Sequence, residues 1–168
     1  MAKRKNERGF GDLVSLAVCC VIFLILTAMA IPNLTKLAQV AEQRNVVVAL
    51  RQIAAAETYY HQIYGNGYAP PPTLSGNGVA VTIKTCDNPF MLIGHYAQTQ
   101  IGHYRLSWTG VGTAPLGTGC TAQGYLNFMI VAAPDAFAGN RSYYIDGSGV
   151  LRYSDSITAS SSSPAWIY

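Results

Sequence analysis

The stretch LVSLAVCCVIFLILTAMAI, residues 13–31, decides the architecture of this chain. It contains no charged residue, and its weakly polar members are Ser15 and Thr27. A helix rises about 1.5 Å per residue, so a stretch of this length spans the roughly 30 Å hydrocarbon core of a bilayer. Four cations precede it: Lys3, Arg4, Lys5 and Arg8. We therefore expect a single membrane anchor with its N-terminus in the cytoplasm and the rest of the chain outside.

The net charge of +3 is concentrated in this leader. Residues 1–9 hold four of the 11 basic residues and one of the 8 acidic ones, which leaves seven of each in the remainder. A neutral remainder argues against a nucleic-acid-binding surface. With half its residues hydrophobic and 11% charged, the chain is also too apolar to be disordered.

Helical periodicity continues beyond the apolar stretch. Apolar residues recur at spacings of three, four and seven, and charged residues, Glu57 among them, occupy the intervening positions. Pro32 is expected to kink this helix rather than end it. The helix should end near Tyr64, since Gly65-Asn66-Gly67 suits a C-cap and three prolines follow. The pattern predicts one helix with a transmembrane half, 10–32, and an amphipathic half, 33–64.

The remaining residues, 65–168, are expected to form a β-rich domain together with helix residues 33–64. We predict a loop at Tyr68–Gly78, a short strand at Val79–Thr85 and a short helix from Pro89 to about Thr99. Four runs have the composition of strands and are separated by turns, one of them Asp146–Gly149; they are His103–Thr109, Tyr125–Ala132, Ser142–Ile145 and Val150–Tyr153. The predicted fold class is α+β, with the long helix packed on a small antiparallel β-meander.

The C-terminal tail has two expected parts. Thr158–Ser163 is rich in serine and is expected to be loose. Trp166 and Tyr168 are expected to dock on the sheet.

The cysteines divide by position. Cys19 and Cys20 lie in the apolar stretch, whereas Cys86 and Cys120 lie outside it and predict one disulfide in an oxidising compartment. Closing a loop of roughly 35 residues contributes about 3–4 kcal/mol on the chain-entropy model. The histidines lack the spacing of a metal site, so we expect neither a metal nor a cofactor.

Catalysis is also not expected. The sequence has no G-x-S-x-G, H-E-x-x-H or P-loop pattern. Asp135, Asp146 and Asp155 stand in turn-like contexts, where aspartate commonly bonds the local backbone. Calcium binding at the Asp146 turn is an open alternative, although a turn of this sequence needs no metal.

The N-terminal motifs resemble a known family. The Arg8-Gly9-Phe10 junction, the uncharged stretch and Ala30-Ile31-Pro32-Asn33-Leu34 at its end resemble type IV pilins and type II secretion pseudopilins. Ser142 to Arg152 resembles the C-terminal hairpin of many pseudopilin-like proteins. The resemblance implies a structural subunit of a pilus or secretion pseudopilus, polymerised through its N-terminal helix.

The resemblance also implies how the chain is processed, which partners it binds and where it is located. Gly9 would end the leader, prepilin peptidase would cut before Phe10, and the Phe10 amine would be methylated. The partners would be other pilin subunits, the peptidase, the inner-membrane assembly platform and, before assembly, lipid. The subunit would first span the inner membrane and then join a filament in the periplasm or at the cell surface.

Two departures from the family pattern are present. Val14 stands where the family usually has a glutamate, and the nearest carboxylate is Asp12. Asp12 either pairs with an N-terminal amine or is solvated at headgroup level; a membrane carboxylate is costly without a partner. Pro32 falls one residue later than the family pattern when counted from Phe10. The missing glutamate favours a minor subunit.

A conventional signal sequence is the alternative reading of the N-terminus. Ala28-Met29-Ala30 matches an A-x-A cleavage pattern after an apolar core. The chain would then be a secreted or membrane-anchored adhesive or binding protein. An adhesive or DNA-capturing minor pilin is a further alternative, since eleven tyrosines would suit a contact surface, although the neutral remainder of the chain argues against DNA.

Overall fold

The computed structural model describes residues 5–76, 84–156 and 158–167, with side chains in the first helix described from Leu13 onward except at 29, 30 and 32. Helix α1 spans Lys5–Tyr64 and helix α2 spans Pro71–Ser75, followed by a 3₁₀ turn at Gly94–Ala97. The strands are β1 (Gln100–Ile101), β2 (Tyr104–Val111), β3 (Asn127–Pro134), β4 (Ser142–Asp146) and β5 (Arg152–Ser154). Two compact units divide the chain, Met1–Val40 and Ala41–Tyr168.

Helix α1 is continuous through position 32, so Pro32 does not end it. Whether Pro32 bends the helix stays a prediction. The C-terminus of α1 matches the expected position, because Gly65 adopts a φ of 63° and its N–H bonds the carbonyl of His61 at 3.0 Å.

The sheet is the predicted meander. Its five strands lie in the order β1-β2-β3-β4-β5, and every neighbouring pair is antiparallel. The longest pairing joins Tyr104–Val111 of β2 to Asn127–Pro134 of β3. The α+β fold class is therefore confirmed, and β1 is an additional short strand that the sequence pattern did not indicate.

One hydrophobic core lies within the second unit. Alternate residues of the strands face it, including Leu106, Phe128, Ile130 and Ile145. Helix α1 contributes side chains at helical spacing, with Val46, Leu50, Ile53 and Tyr60 all essentially buried. The two periodicities, near 3.6 along the helix and 2 along the strands, meet in this core.

The segment between α1 and β1 differs from prediction. Within the expected loop Tyr68–Gly78, Pro71–Ser75 forms α2, since Pro suits a first helical turn. The expected helix from Pro89 is wrong except for the 3₁₀ turn at 94–97. Phe90 has a φ of 47°, and the N–H groups of Met91 and Leu92 bond the carbonyl of Leu74 instead. The expected strand Val79–Thr85 lies mostly outside the described residues.

The C-terminal tail is better ordered than predicted. Ser163 N–H bonds the Ser160 carbonyl at 3.0 Å, and Ala159 is buried, so Thr158–Ser163 is not loose. The Trp166 ring packs edge-on against Tyr143 and Tyr153, which confirms its docking on the sheet. Tyr168 lies outside the described residues.

Candidate functional site

The first feature of functional interest is the apolar surface of α1 in the first unit. Each described side chain from Leu13 to Leu26 is exposed, and the large apolar ones are 48% to 67% exposed. The mean hydropathy reaches 2.8 over an 18-residue window, none of which is buried within the chain. By length and composition, this helix is able to cross a membrane, as a span or as a signal sequence.

The polar side chain of Thr27 is satisfied within this helix. The Thr27 hydroxyl can donate to the carbonyl of Phe23 or of Leu24, each 3.0 Å away. Such intrahelical bonding lets a threonine enter hydrocarbon without an unpaired polar group. Cys19 and Cys20 are free thiols on the same surface and behave there as small hydrophobes.

One side of the helix carries a shallow groove of about 310 Å³ lined by Val14, Ala17, Val18, Val21 and Ile22. The small Ala17 lies between branched side chains. A groove of this form accepts the side-chain ridge of another helix.

The residues expected at the cleavage site lie on the backbone of α1. Gly9, Phe10 and Asp12 are helical, and their side chains lie outside the described residues, as does that of Pro32. Cleavage between Gly9 and Phe10, methylation of Phe10 and amine pairing by Asp12 therefore stay predictions.

The predicted disulfide is present. Cys86 and Cys120 are bonded across a sequence separation of 34, with their Cα atoms 5.0 Å apart. Cys86 is buried, and its Sγ lies 2.9 Å from the hydroxyl of Tyr60 on α1. The disulfide is thus fixed against the helix as well as between two loops.

A buried asparagine extends this contact. Asn66 is 3% exposed, and its Nδ2 donates to the Tyr60 hydroxyl at 3.1 Å and to the Ala122 carbonyl at 3.0 Å. Its Oδ1 accepts from the N–H of Gly117 at 2.9 Å. The sequence pattern indicated Asn66 only as part of a helix cap; its position between two glycines was the available signal.

The prediction that Glu57 lies on the charged face of the amphipathic helix is wrong. It is fully buried, with Oε2 accepting from the N–H of Ala69 and Oε1 from Nε1–H of Trp108, each at 2.9 Å. Burial raises the pKa of this carboxyl to about 8, although both hydrogen bonds act to lower it. Helical spacing could have revealed it, since Glu57 lies four residues after Ile53 and three before Tyr60.

Of the three aspartates expected to bond the local backbone, Asp146 and Asp135 do so, the latter to the N–H of Phe137 at 2.9 Å, whereas Asp155 bonds a side chain 14 residues away. Asp146 accepts from the N–H of Ser148 at 2.9 Å, and Asp155 pairs with Nε of Arg141 at 2.6 Å. Asp135 lies 2.8 Å from Nδ1 of His103, and this contact raises the pKa of His103 and lowers that of Asp135. Among the described residues, no three His, Cys, Asp or Glu side chains converge on a site that could hold a metal ion.

Comparison with protein families, with characterised proteins and with solved structures finds no match for this chain.

Proposed function

We propose that this chain is a structural subunit of a filament of the type IV pilus or type II secretion pseudopilus kind, in a minor position. The observation that carries the proposal is the division of α1. From Leu13 to Leu26 it presents exposed, almost wholly apolar side chains around the helix, whereas from Val46 onward it contributes side chains to the core of a β-domain. The N-terminal part of α1 therefore needs an apolar environment, whereas its C-terminal part belongs to the core of a folded domain.

The apolar half needs two successive environments in this proposal. Lipid covers it before assembly, and the helices of neighbouring subunits cover it afterwards. Covering a half-exposed Leu, Val or Ile contributes about 1–2 kcal/mol. This gain keeps the apolar half of α1 out of water in both environments, whereas the step from lipid to filament depends on close packing between helices, because lipid tails are as apolar as the side chains from Leu13 to Leu26. The partners are accordingly further copies or related subunits, the inner-membrane assembly platform and prepilin peptidase.

The β-domain of the second unit has a structural role in this proposal and no catalytic one. The Cys86–Cys120 disulfide, with the Tyr60 and Asn66 contacts, holds loops of the β-domain to α1. This arrangement suits a subunit that forms the surface of a filament in the periplasm or outside the cell.

Sequencing the N-terminus of the mature protein tests the proposal. In cells that produce prepilin peptidase, we expect the mature chain to begin at Phe10 and to carry one methyl group on its amine. Replacing Gly9 with leucine should abolish cleavage, because a bulky residue at the end of the leader would not fit the peptidase. Gly11→Leu, two residues later in the same helix, is the matched control and should mature normally.

Three outcomes would contradict the proposal. A mature chain that begins at Ile31 identifies a conventional signal sequence and a secreted protein. A chain that keeps Met1 or Ala2 is an uncut membrane anchor. Normal maturation of the Gly9→Leu variant excludes the peptidase assignment.

A further inference from the structure

A groove of about 420 Å³, here named the hairpin groove, lies between α1 and the β4–β5 hairpin in the second unit. Small and apolar residues line it together with one cation, and they include Ala54, Ala55, Tyr59, Ile145 and Arg51. Ile145 is buried, whereas Tyr59 is 55% exposed. A concave surface of this kind fits an apolar side chain of a partner, with a polar group beside it to fix its orientation.

The hairpin groove has one charged side chain in its lining, that of Arg51. Neither of the ion pairs in the described part of the chain involves Arg51. Asp146 follows Ile145 in the hairpin, but its carboxylate accepts hydrogen bonds from Ser148 and Tyr144. A partner with a carboxylate next to an apolar side chain would therefore complement the groove in both charge and polarity.

The loop between β3 and β4 has both of these features. Phe137 is 74% exposed, and its ring lies 5.3 Å from that of His103. The side chain of Asp135, two residues earlier, is 45% exposed. Its oxygens contact His103 Nδ1 and accept from the N–H groups of Phe137 and Ala138. A carboxylate has about four acceptor positions, so Asp135 can still accept a bond from a guanidinium.

Phe137 cannot reach the hairpin groove of its own molecule. Its neighbour His103 is bonded to the beginning of the second unit, since the His103 N–H donates to Oε2 of Glu42 at 3.3 Å. The groove extends from Arg51 to Gln62 of α1, which places it about 14–30 Å further along the helix than Glu42. Strand β4 covers the same direction, because it begins after the Phe137 loop and carries Ile145 at its other end.

We propose that the hairpin groove binds Phe137 of a second copy of the chain, with Asp135 of that copy beside Arg51. This contact rests on the proposed function, since a filament supplies the neighbouring copy. The two surfaces differ and lie at different heights along α1, so the contact is heterologous and continues from copy to copy instead of closing a two-fold pair.

The contact is too small to hold two free molecules together. One aromatic side chain and one ion pair cover far less than the roughly 1,200 Å² of a stable interface. It forms where the apolar parts of α1 already keep copies close, because the second contact then benefits from a high effective concentration. The β-domains of neighbouring copies are thereby fixed in one register.

Disulfide trapping in cells that produce the full chain and prepilin peptidase tests this contact. Cys19 and Cys20 are first replaced by alanine, and Ala55→Cys and Ala136→Cys are then combined, since both alanines are exposed. Under mild oxidation we expect a ladder of covalent oligomers, at least tenfold stronger than in the matched control. That control combines Ala55→Cys with Leu126→Cys, because Leu126 is 62% exposed and lies at the other end of β3.

Equal trapping in the two double variants overturns the proposed contact. Adding Phe137→Ser to the trapped variant should reduce the ladder to the control level, and an unchanged ladder also overturns it. N-terminal sequencing of the same sample separates the two proposals. A chain that begins at Phe10 but forms no ladder overturns the Phe137 contact alone, whereas a chain that begins at Ile31 and forms no ladder overturns the filament as well.

Discussion

Asn66 illustrates how one buried side chain holds several loops together. It bonds Tyr60, Gly117 and Ala122, and its own exposure is 3%. Two of its partners are backbone groups in the loop that carries Cys120. A buried polar group that loses its partner costs about 1–3 kcal/mol, so this residue has a large effect for its size.

We predict that Asn66→Ala lowers the free energy of unfolding by about 2–4 kcal/mol, because it leaves the Gly117 N–H and the Ala122 carbonyl without their partner. Chemical denaturation followed by circular dichroism measures this change. Gln62→Ala, an exposed change near the end of the same helix, should stay within about 0.5 kcal/mol. Equal effects of the two changes would contradict the structural role of Asn66.

At the scale of single residues, the sequence predicted those contacts whose two partners lie close together in the chain or belong to the same residue type. The cysteine pairing was predictable because only two cysteines lie outside the apolar stretch. The burial of Glu57 was not predicted, since charge was given more weight than position along the helix. Its partners, Ala69 and Trp108, are 12 and 51 residues away, and such contacts depend on the tertiary fold.

The elements were predicted best where a pattern is long. Helix α1 combines a long uncharged stretch with an extended periodic half, and β2 and β3 have eight residues each. The predicted bounds of β2 and β3 differ from the observed ones by one or two residues. The segment from Pro71 to Ala97 was predicted poorly, because its short turns bond to one another, as Met91 and Leu92 do to Leu74.

Gly67 is a turn residue that allows the segment after α1 to approach the segment before β3. Its φ is 77°, and a Cβ added there would lie 2.3 Å from the Tyr125 carbonyl oxygen. The neighbouring bridge joins Tyr68 to Tyr125 through two backbone bonds of 2.8 and 2.9 Å. Any side chain at position 67 must therefore push this bridge apart.

We predict that Gly67→Ala destabilises the domain by more than 2 kcal/mol, since it combines backbone strain of about 1 kcal/mol with displacement of the bridge. Gly65→Ala is the matched control, because Gly65 also has a positive φ but has open space around its Cα. It should cost only about 1 kcal/mol. Thermal unfolding of both variants measures the difference, and equal losses would show that the close approach to Tyr125 is unimportant.

At the scale of the whole molecule, the second unit contains the core, the disulfide and the buried polar contacts. None of the first-unit side chains that the structure describes belongs to that core. The sequence anticipated this division through its charge-free stretch. The predicted division of the helix lies between residues 32 and 33, where the apolar stretch ends, whereas the two compact units meet at Val40 and Ala41 within the continuous helix.

We predict that a fragment of residues 41–168 folds, forms the Cys86–Cys120 disulfide and remains monomeric in water. The full chain, by contrast, should require detergent or lipid, because its exposed apolar helix has no cover in water. Circular dichroism and sedimentation of both proteins measure these properties. A fragment that oligomerises as the full chain does would locate the association surface in the second unit rather than in the apolar helix.

The C-terminal segment has a consequence for how molecules meet side by side. Along β5, the Tyr153 N–H bonds the Pro164 carbonyl and the Trp166 N–H bonds the Leu151 carbonyl, at 3.0 and 2.7 Å. Ala165 forms a bridge with Arg152 beside them. The outer edge of the last strand is thus already occupied by the chain's own backbone. Another molecule that approaches this edge cannot extend the sheet, so cross-β growth is blocked there and lateral contacts are left to side chains.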